Sequence, residues 1–327
     1  MKKRLGAVII TMCCLTSCVS LQNVSFDELK PATITFSENV KTVAVVNNMP
    51  STPEAYSNLL TLGYLEGDGK ISAEALATVL ADANYFNQVI ICDSALQEGN
   101  ESHILTSGEI QDLADILGAD LIFSLERIAI HTEKRDLYVQ GSYEKWPVVY
   151  AKITPVLNVY SPLYSKPMHV LTVTDSLMWD MKAVILSDKE LMEETARLVA
   201  YKLMPRLVPY WNTANRMYYS GAYTQLRNAG VAVEEHNWKE AAELWESFYR
   251  KTKSKKMKYK MAFNLALASE MAGNLEKAQQ WLDKAKTYID LDEEEGMIWE
   301  QYKNQLNEKE EDYRLLNKQM LRFKNSL

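Results

Sequence analysis

Four histidines, His103, His131, His169 and His236, are the first side chains to test for metal or general-base chemistry. No two stand at the spacing that places a pair of imidazoles on one helix face, and a metal site needs several ligands converging at fixed distances. Cys92 closes the apolar run Val89-Ile90-Ile91-Cys92, where a thiol serves as a small buried hydrophobe rather than a nucleophile. Gly67-Asp68-Gly69-Lys70 hints at a phosphate loop but lacks the first glycine at Walker spacing and the hydroxyl after the lysine. Read as half of a calcium loop, its first and last ligand positions become Tyr64 and Ala75, so the cage misses its main carboxylates. A turn between two helices accounts for it better. The run Asp290-Leu291-Asp292-Glu293-Glu294-Glu295-Gly296 puts its glycine one place too late for that template, and acids opening a helix are favoured by its dipole anyway. There is no Gly-x-Ser-x-Gly elbow and no His-Glu-x-x-His helix. No catalytic residue, metal or cofactor is therefore assigned. Asp and Glu are abundant, so paired carboxylates in a hydrolase stay open as an alternative.

Cys18 is a different kind of reactive residue. Lys2, Lys3 and Arg4 precede the apolar stretch Leu5-Gly6-Ala7-Val8-Ile9-Ile10-Thr11-Met12, which is too short to span a bilayer permanently. Leu15-Thr16-Ser17-Cys18 follows. An aliphatic residue, two small residues and a cysteine in this place resemble the lipobox of bacterial lipoproteins. The resemblance implies a signal peptide over residues 1–17 and acyl chains on the sulfur and amino group of Cys18. Beyond the leader no apolar run is long enough for a transmembrane helix, so membrane attachment rests on lipid. Several acyl chains, at about 0.8 kcal/mol per buried CH₂, hold far better than one. Val19-Ser20-Leu21-Gln22 contains no acidic cluster of the kind that directs some lipoproteins to the cell surface. The periplasmic face of the outer membrane is accordingly expected.

The 327 residues allow two domains, and 47% hydrophobic and 10% aromatic content can build real cores. Loss of three leader cations takes the net charge from −7 to −10, which disfavours nucleic acid as a general partner. With Cys13 and Cys14 in the leader and Cys18 acylated, Cys92 has no disulfide partner in the chain.

Residues 18–40 read as a lipidated tether, with Thr33-Ile34-Thr35-Phe36 as a short edge strand. An α/β domain, a mixed sheet with helices, is expected over 41–220. Lys41–Asn47, Gln88–Cys92 and Ala119–Leu125 have the apolar, β-branched character of buried strands. Thr52-Pro53-Glu54 can open a helix, and a second helix begins near Ser72. Thr106-x-x-Glu109 and Ser187-x-x-Glu190 have capping-box spacing, and Gly118 stops the helix that follows Thr106. Val148–Tyr160 and His169–Leu177 form an antiparallel addition, with Pro155 at a bulge or edge. This order, with Leu113-Ala114-Asp115-Ile116-Leu117-Gly118-Ala119-Asp120 before a strand, resembles the α/β domain of the curli-secretion lipoprotein and of lipoprotein activators of penicillin-binding proteins. The resemblance spans about Lys41 to Leu207 and implies a fold more than a function.

An all-α, tetratricopeptide-repeat-like domain is expected over 221–327. One unit reads Asn264-Leu265-Ala266-Leu267-Ala268, Gly273-Asn274-Leu275-Glu276-Lys277-Ala278, then Leu282 and Ala285. An earlier copy reads Ala229, Asn237-Trp238-Lys239-Glu240-Ala241 and Trp245. Ala241 and Ala278 are 37 residues apart, against about 34 for the repeat, and the basic loop at 250–256 absorbs the excess. On the repeat template Tyr223, Leu226, Lys260, Phe263, Asn264, Leu267 and Glu270 line a partner-binding groove. Asn264 matches the repeats that clamp a chain terminus, whereas the first unit has Gly230 in the equivalent place. Lys251, Lys253, Lys255 and Lys256 could meet an anionic partner. Lipobox, α/β domain and repeats together resemble a family of uncharacterised bacterial lipoproteins.

The expectation is a lipid-anchored, non-enzymatic envelope protein that binds another protein through its repeats or sheet edge. A glycan-capture lipoprotein using Trp146, Trp179 and Trp211 is the rival reading.

Overall fold

The computed structural model describes residues 19–50, 56–96, 104–138, 141, 144–183, 186–221, 223–288 and 293–324. The leader, Cys18 and the helix expected at Thr52-Pro53-Glu54 lie outside the described residues. In chain order the elements are β1 (Val19–Lys30), β2 (Thr42–Asn47), β3 (Gly63–Glu66), α1 (Gly69–Asp82), β4 (Gln88–Cys92), α2 (Ser107–Leu117), β5 (Leu121–Tyr138), β6 (Lys145–Tyr160), β7 (His169–Thr172), β8 (Asp175–Asp180), α3 (Asp188–Leu207), β9 (Tyr210–Gly221), α4 (Thr224–Glu234), α5 (Trp238–Lys251), α6 (Lys255–Met271), α7 (Leu275–Lys286), α8 (Glu293–Gln319) and α9 (Leu321–Lys324). An α/β domain thus precedes a helical one. Two compact units form: Leu29–Trp211 with Tyr313–Leu327, and the described part of Met1–Glu28 with Asn212–Asp312.

In the α/β unit the sheet runs β4-β2-β5-β6-β7, with β3 on β5 and β8 on β6. β2 is parallel to β4 and β5, while β6 is antiparallel to β5, β7 and β8. Side chains alternate across a strand, so Val43 and Val45 enter one core with Leu76, Leu80, Leu191 and Leu203 of α1 and α3. Ala44 and Val46 enter the other, against Ile110 and Ala114 of α2. Both capping boxes form, at Thr106 with Glu109 and at Ser187 with Glu190, and Gly118 closes α2 with a φ of 60°.

Residues 18–40 do not run as a tether throughout: 19–30 form β1, and the segment after it is pinned. Thr33 and Ile34 make no strand; their N–H groups donate to Pro205 and Arg206 carbonyls at 3.2 and 3.0 Å, satisfying the C-terminal end of α3. Gln319 bonds both backbone groups of Ala32 at 2.9 Å, and Arg322 donates to the carbonyls of Ser37 and Val40. Nor does Gly67-Asp68-Gly69-Lys70 join two helices. It links β3 to α1, and the Asp68 carboxylate caps that helix by accepting from the Ile71 N–H at 3.0 Å.

In the helical unit α4 packs on α5, α5 on α6 and α6 on α7. A two-stranded ribbon, β1 with β9, completes it. Its core joins Trp245, Tyr259, Phe263 and Leu282 to Val24, Tyr218 and Tyr219 of the ribbon.

Candidate functional site

The groove expected from the repeat template is filled by the chain's own ribbon. Leu226, Phe263 and Leu267 are fully buried. Asn264 grips β9 as an amide would grip a peptide. Its Oδ1 accepts from the Tyr219 N–H and its Nδ2 donates to the Tyr219 carbonyl, both at 2.7 Å. At the equivalent position of the earlier copy, a Cβ on Gly230 would lie 2.9 Å from the Ser220 hydroxyl oxygen, so glycine is what lets β9 approach α4. Lys260 Nζ donates to the Val19 carbonyl at 3.1 Å and lies over the Tyr219 ring. Glu270 receives Arg216 at 2.9 and 3.2 Å, Lys309 at 2.8 Å and the Tyr302 hydroxyl at 2.9 Å. Burial, and then the Glu270 charge, push the Tyr302 phenol well above its ordinary value. Such a buried charge network is stable only when every member is paired. Of the seven expected groove residues, only Tyr223 stands exposed, against Phe248. The expectation that they line an open groove is therefore corrected.

Lys251, Lys253 and Lys255 are exposed as expected, while Lys256 pairs with Glu295 at 3.3 Å. The tryptophan platform does not assemble. Trp179 is 8% exposed and donates its indole N–H to Glu194 at 2.8 Å. On β6, Val149 pairs with Trp179 of β8, and Trp146 is three residues from Val149, so the two indoles leave opposite faces of the sheet. Trp211 is exposed on β9.

Two features escape the sequence pattern. The first is an open cleft of about 690 Å³ on the helical unit, formed by the starts of α5 and α7 over the end of α6. Ala242, Leu265, Ala268 and Ala272 give it an apolar floor; Trp238 and Trp281 add indoles, and Lys239, Lys277, Glu243 and Glu246 supply both charges. Its signal was the repeated helix opening, Asn237-Trp238-Lys239 and Asn274-Leu275-Glu276-Lys277, in which Asn237 and Asn274 cap α5 and α7. A smaller cleft of about 410 Å³ in the α/β unit is lined by Leu60, Leu62, Val149, Trp179, Met181 and Leu186, with Lys134 among them.

The second is Glu126. Register slips between Leu125 and Arg127 on β5, so Glu126 is the extra residue of a bulge. It lies at the C-terminal end of β2 and is 7% exposed. The order β4-β2-β5 makes this a topological switch point, where α/β folds place ligands. Asn48 Nδ2 donates to its carboxylate at 2.6 Å and the Tyr160 hydroxyl at 3.4 Å. Burial raises its pKa above the ordinary glutamate value, against hydrogen bonds that pull the other way.

Residues 40–219 match the model of a family described as a domain of unknown function (DUF8603), and residues 227–308 that of another domain of unknown function (DUF6340). Among solved structures, the chain is similar to a minor lipoprotein from Acinetobacter baumannii at 8% identity, covering 52% of this chain and 90% of that one, with a TM-score of 0.26. It is also similar to the hypothetical protein CT253 from Chlamydia trachomatis at 11% identity, covering 50% and 95%, with a TM-score of 0.28. No curated protein matches.

Proposed function

The chain belongs to the family described as a domain of unknown function (DUF8603), and since that description names no activity, we propose from the molecule itself that it is a lipid-anchored envelope protein that binds a protein partner without catalysing a reaction. The anchor is supported by the basic and apolar leader and by Leu15-Thr16-Ser17-Cys18. No helix among the described residues is long and apolar enough to cross a membrane. The lack of acids in Val19-Ser20-Leu21-Gln22 supports the periplasmic face of the outer membrane.

The helix pairs α4–α5 and α6–α7 act as two tetratricopeptide-like units in this reading. With the inner face occupied by β1 and β9, the partner docks on the outer cleft. The observation that carries this is the cleft itself. It is an open cleft of about 690 Å³ on the surface of the helical unit. An apolar floor, two indoles and rim charges of both signs suit an amphipathic helix with an aliphatic anchor.

Photo-crosslinking in intact cells tests it, with the reactive residue at Ala242 or Glu246 and a control at Asp115 on α2. One discrete adduct from the cleft positions alone, lost on Trp238→Ala with Trp281→Ala, is expected. Identical adducts from Asp115, or none from the cleft, would remove the cleft from the account. Truncation before α4 is the wrong test, because it also removes Gln319 and Arg322 from the α/β unit.

A further inference from the structure

The first described residue, Val19, is already held in the helical unit. Its carbonyl accepts from Lys260 Nζ at 3.1 Å, and its side chain packs at the edge of that unit's core. Residue 18 is one peptide bond away, about 3.8 Å between Cα atoms. A lipid on Cys18 would thus be attached one residue from the Val19–Lys260 contact. Lys260 lies in the second turn of α6, and Lys256 stands one turn earlier on the same face, about 6 Å along the axis. Lys251 ends α5, and Lys253 lies in the short loop before α6. The anchor point and the most basic segment of an acidic chain therefore share one end of α6.

The first turn of α6 gathers three lysines at the positive end of the helix dipole. Helices α2, α3, α5 and α7 carry an acid in the first turn, as the positive end of the helix dipole favours, whereas α1 and α4 carry none. α6 opens with Lys255-Lys256-Met257-Lys258 and has no acid in its first turn. Arg250 is offset by Glu246 and Lys256 by Glu295. Lys258 lies over the rings of Tyr249 and Tyr288. Lys251, Lys253 and Lys255 make no ion pair among the described residues.

We propose that the basic segment at 250–260 docks on the anionic phosphate headgroups of the bilayer that holds the Cys18 lipid, fixing the helical unit directly on the membrane surface. The docking presupposes the lipid anchor proposed above. A basic patch is the second signal that converts reversible acyl insertion into stable attachment.

The test uses the lipidated chain in vesicles of phosphatidylcholine alone or with added phosphatidylglycerol, and follows backbone hydrogen exchange over 250–258. On anionic vesicles exchange there should slow by about tenfold or more, each lysine near such a surface contributing a factor of roughly five. The protection should vanish in salt at about 1 M, where screening falls to roughly 3 Å, and in a Lys251→Gln, Lys253→Gln, Lys255→Gln variant. Equal exchange on both vesicle types, in a chain that sediments with both, overturns the docking and leaves the anchor standing. A chain that fails to sediment with phosphatidylcholine vesicles overturns the anchor, and the docking with it.

Discussion

Glu126 shows how much one misplaced residue can carry. Without the bulge, β5 would keep the parity of Leu121, Phe123 and Leu125; beyond it the core positions become Ile128 and Ile130. The strand expected from the sequence ends at Leu125, so that shift from odd to even around Glu126 was missed, as were the partners Asn48 and Tyr160, which come from other strand ends. The pH dependence follows from the sign of the shift. Because the folded-state pKa is raised, folding favours the protonated form. The stability Glu126 contributes is complete below the ordinary glutamate pKa and is lost as pH rises through the folded value. Glu126→Gln removes the charge and keeps one of the two oxygens that accept from Asn48 and Tyr160. Its stability relative to the native chain should be higher at pH 8 than at pH 4, measured by urea unfolding at both. A difference that stays constant with pH would contradict the buried, proton-holding role.

At the scale of elements, what could be read was local. The capping boxes at Thr106 and Ser187, the stop at Gly118 and the strand around Val43–Val46 are each written in a few adjacent residues, and each forms. β1 and β9 could not be read this way. β9 buries Arg216 among Ala214, Tyr218 and Tyr219, which spoils any hydrophobic alternation. The ribbon also pairs segments almost two hundred positions apart, as the Ser25–Asn215 hydrogen bond shows. The residues expected to line an open groove are instead packed, all but Tyr223, against a strand of the same chain. In Gly230→Ala the Ser220 hydroxyl must turn away and give up its bond to the Leu226 carbonyl, and the better helix propensity of alanine offsets part of that, so a net loss of at most about 1 kcal/mol is expected. In a Ser220→Ala background the same change should cost nothing further, because the clash is with the Ser220 hydroxyl. Thermal unfolding of the three variants checks this. A loss that is unchanged in the Ser220→Ala background would mean that the hydroxyl is not what the added methyl group meets.

At the scale of the whole molecule, the change from strands to helices near residue 222 is plain in the sequence, yet the compact units do not divide there. Their limits fall within β1, β9 and α8. The end of α8 and the turn after it belong to the α/β unit, where Gln319 and Arg322 hold the segment that follows β1. No repeat template foretells this, because it depends on two side chains beyond the last repeat. The partner cleft, the basic segment and the proposed membrane face all take their meaning from Cys18. The most direct measurement is the intact mass of the protein extracted from the membrane fraction. A chain that starts at Cys18 and carries the added mass of acyl groups such as palmitate on its sulfur and amino group is expected. A chain that keeps residues before Cys18, or that starts there with an unmodified cysteine, would contradict it.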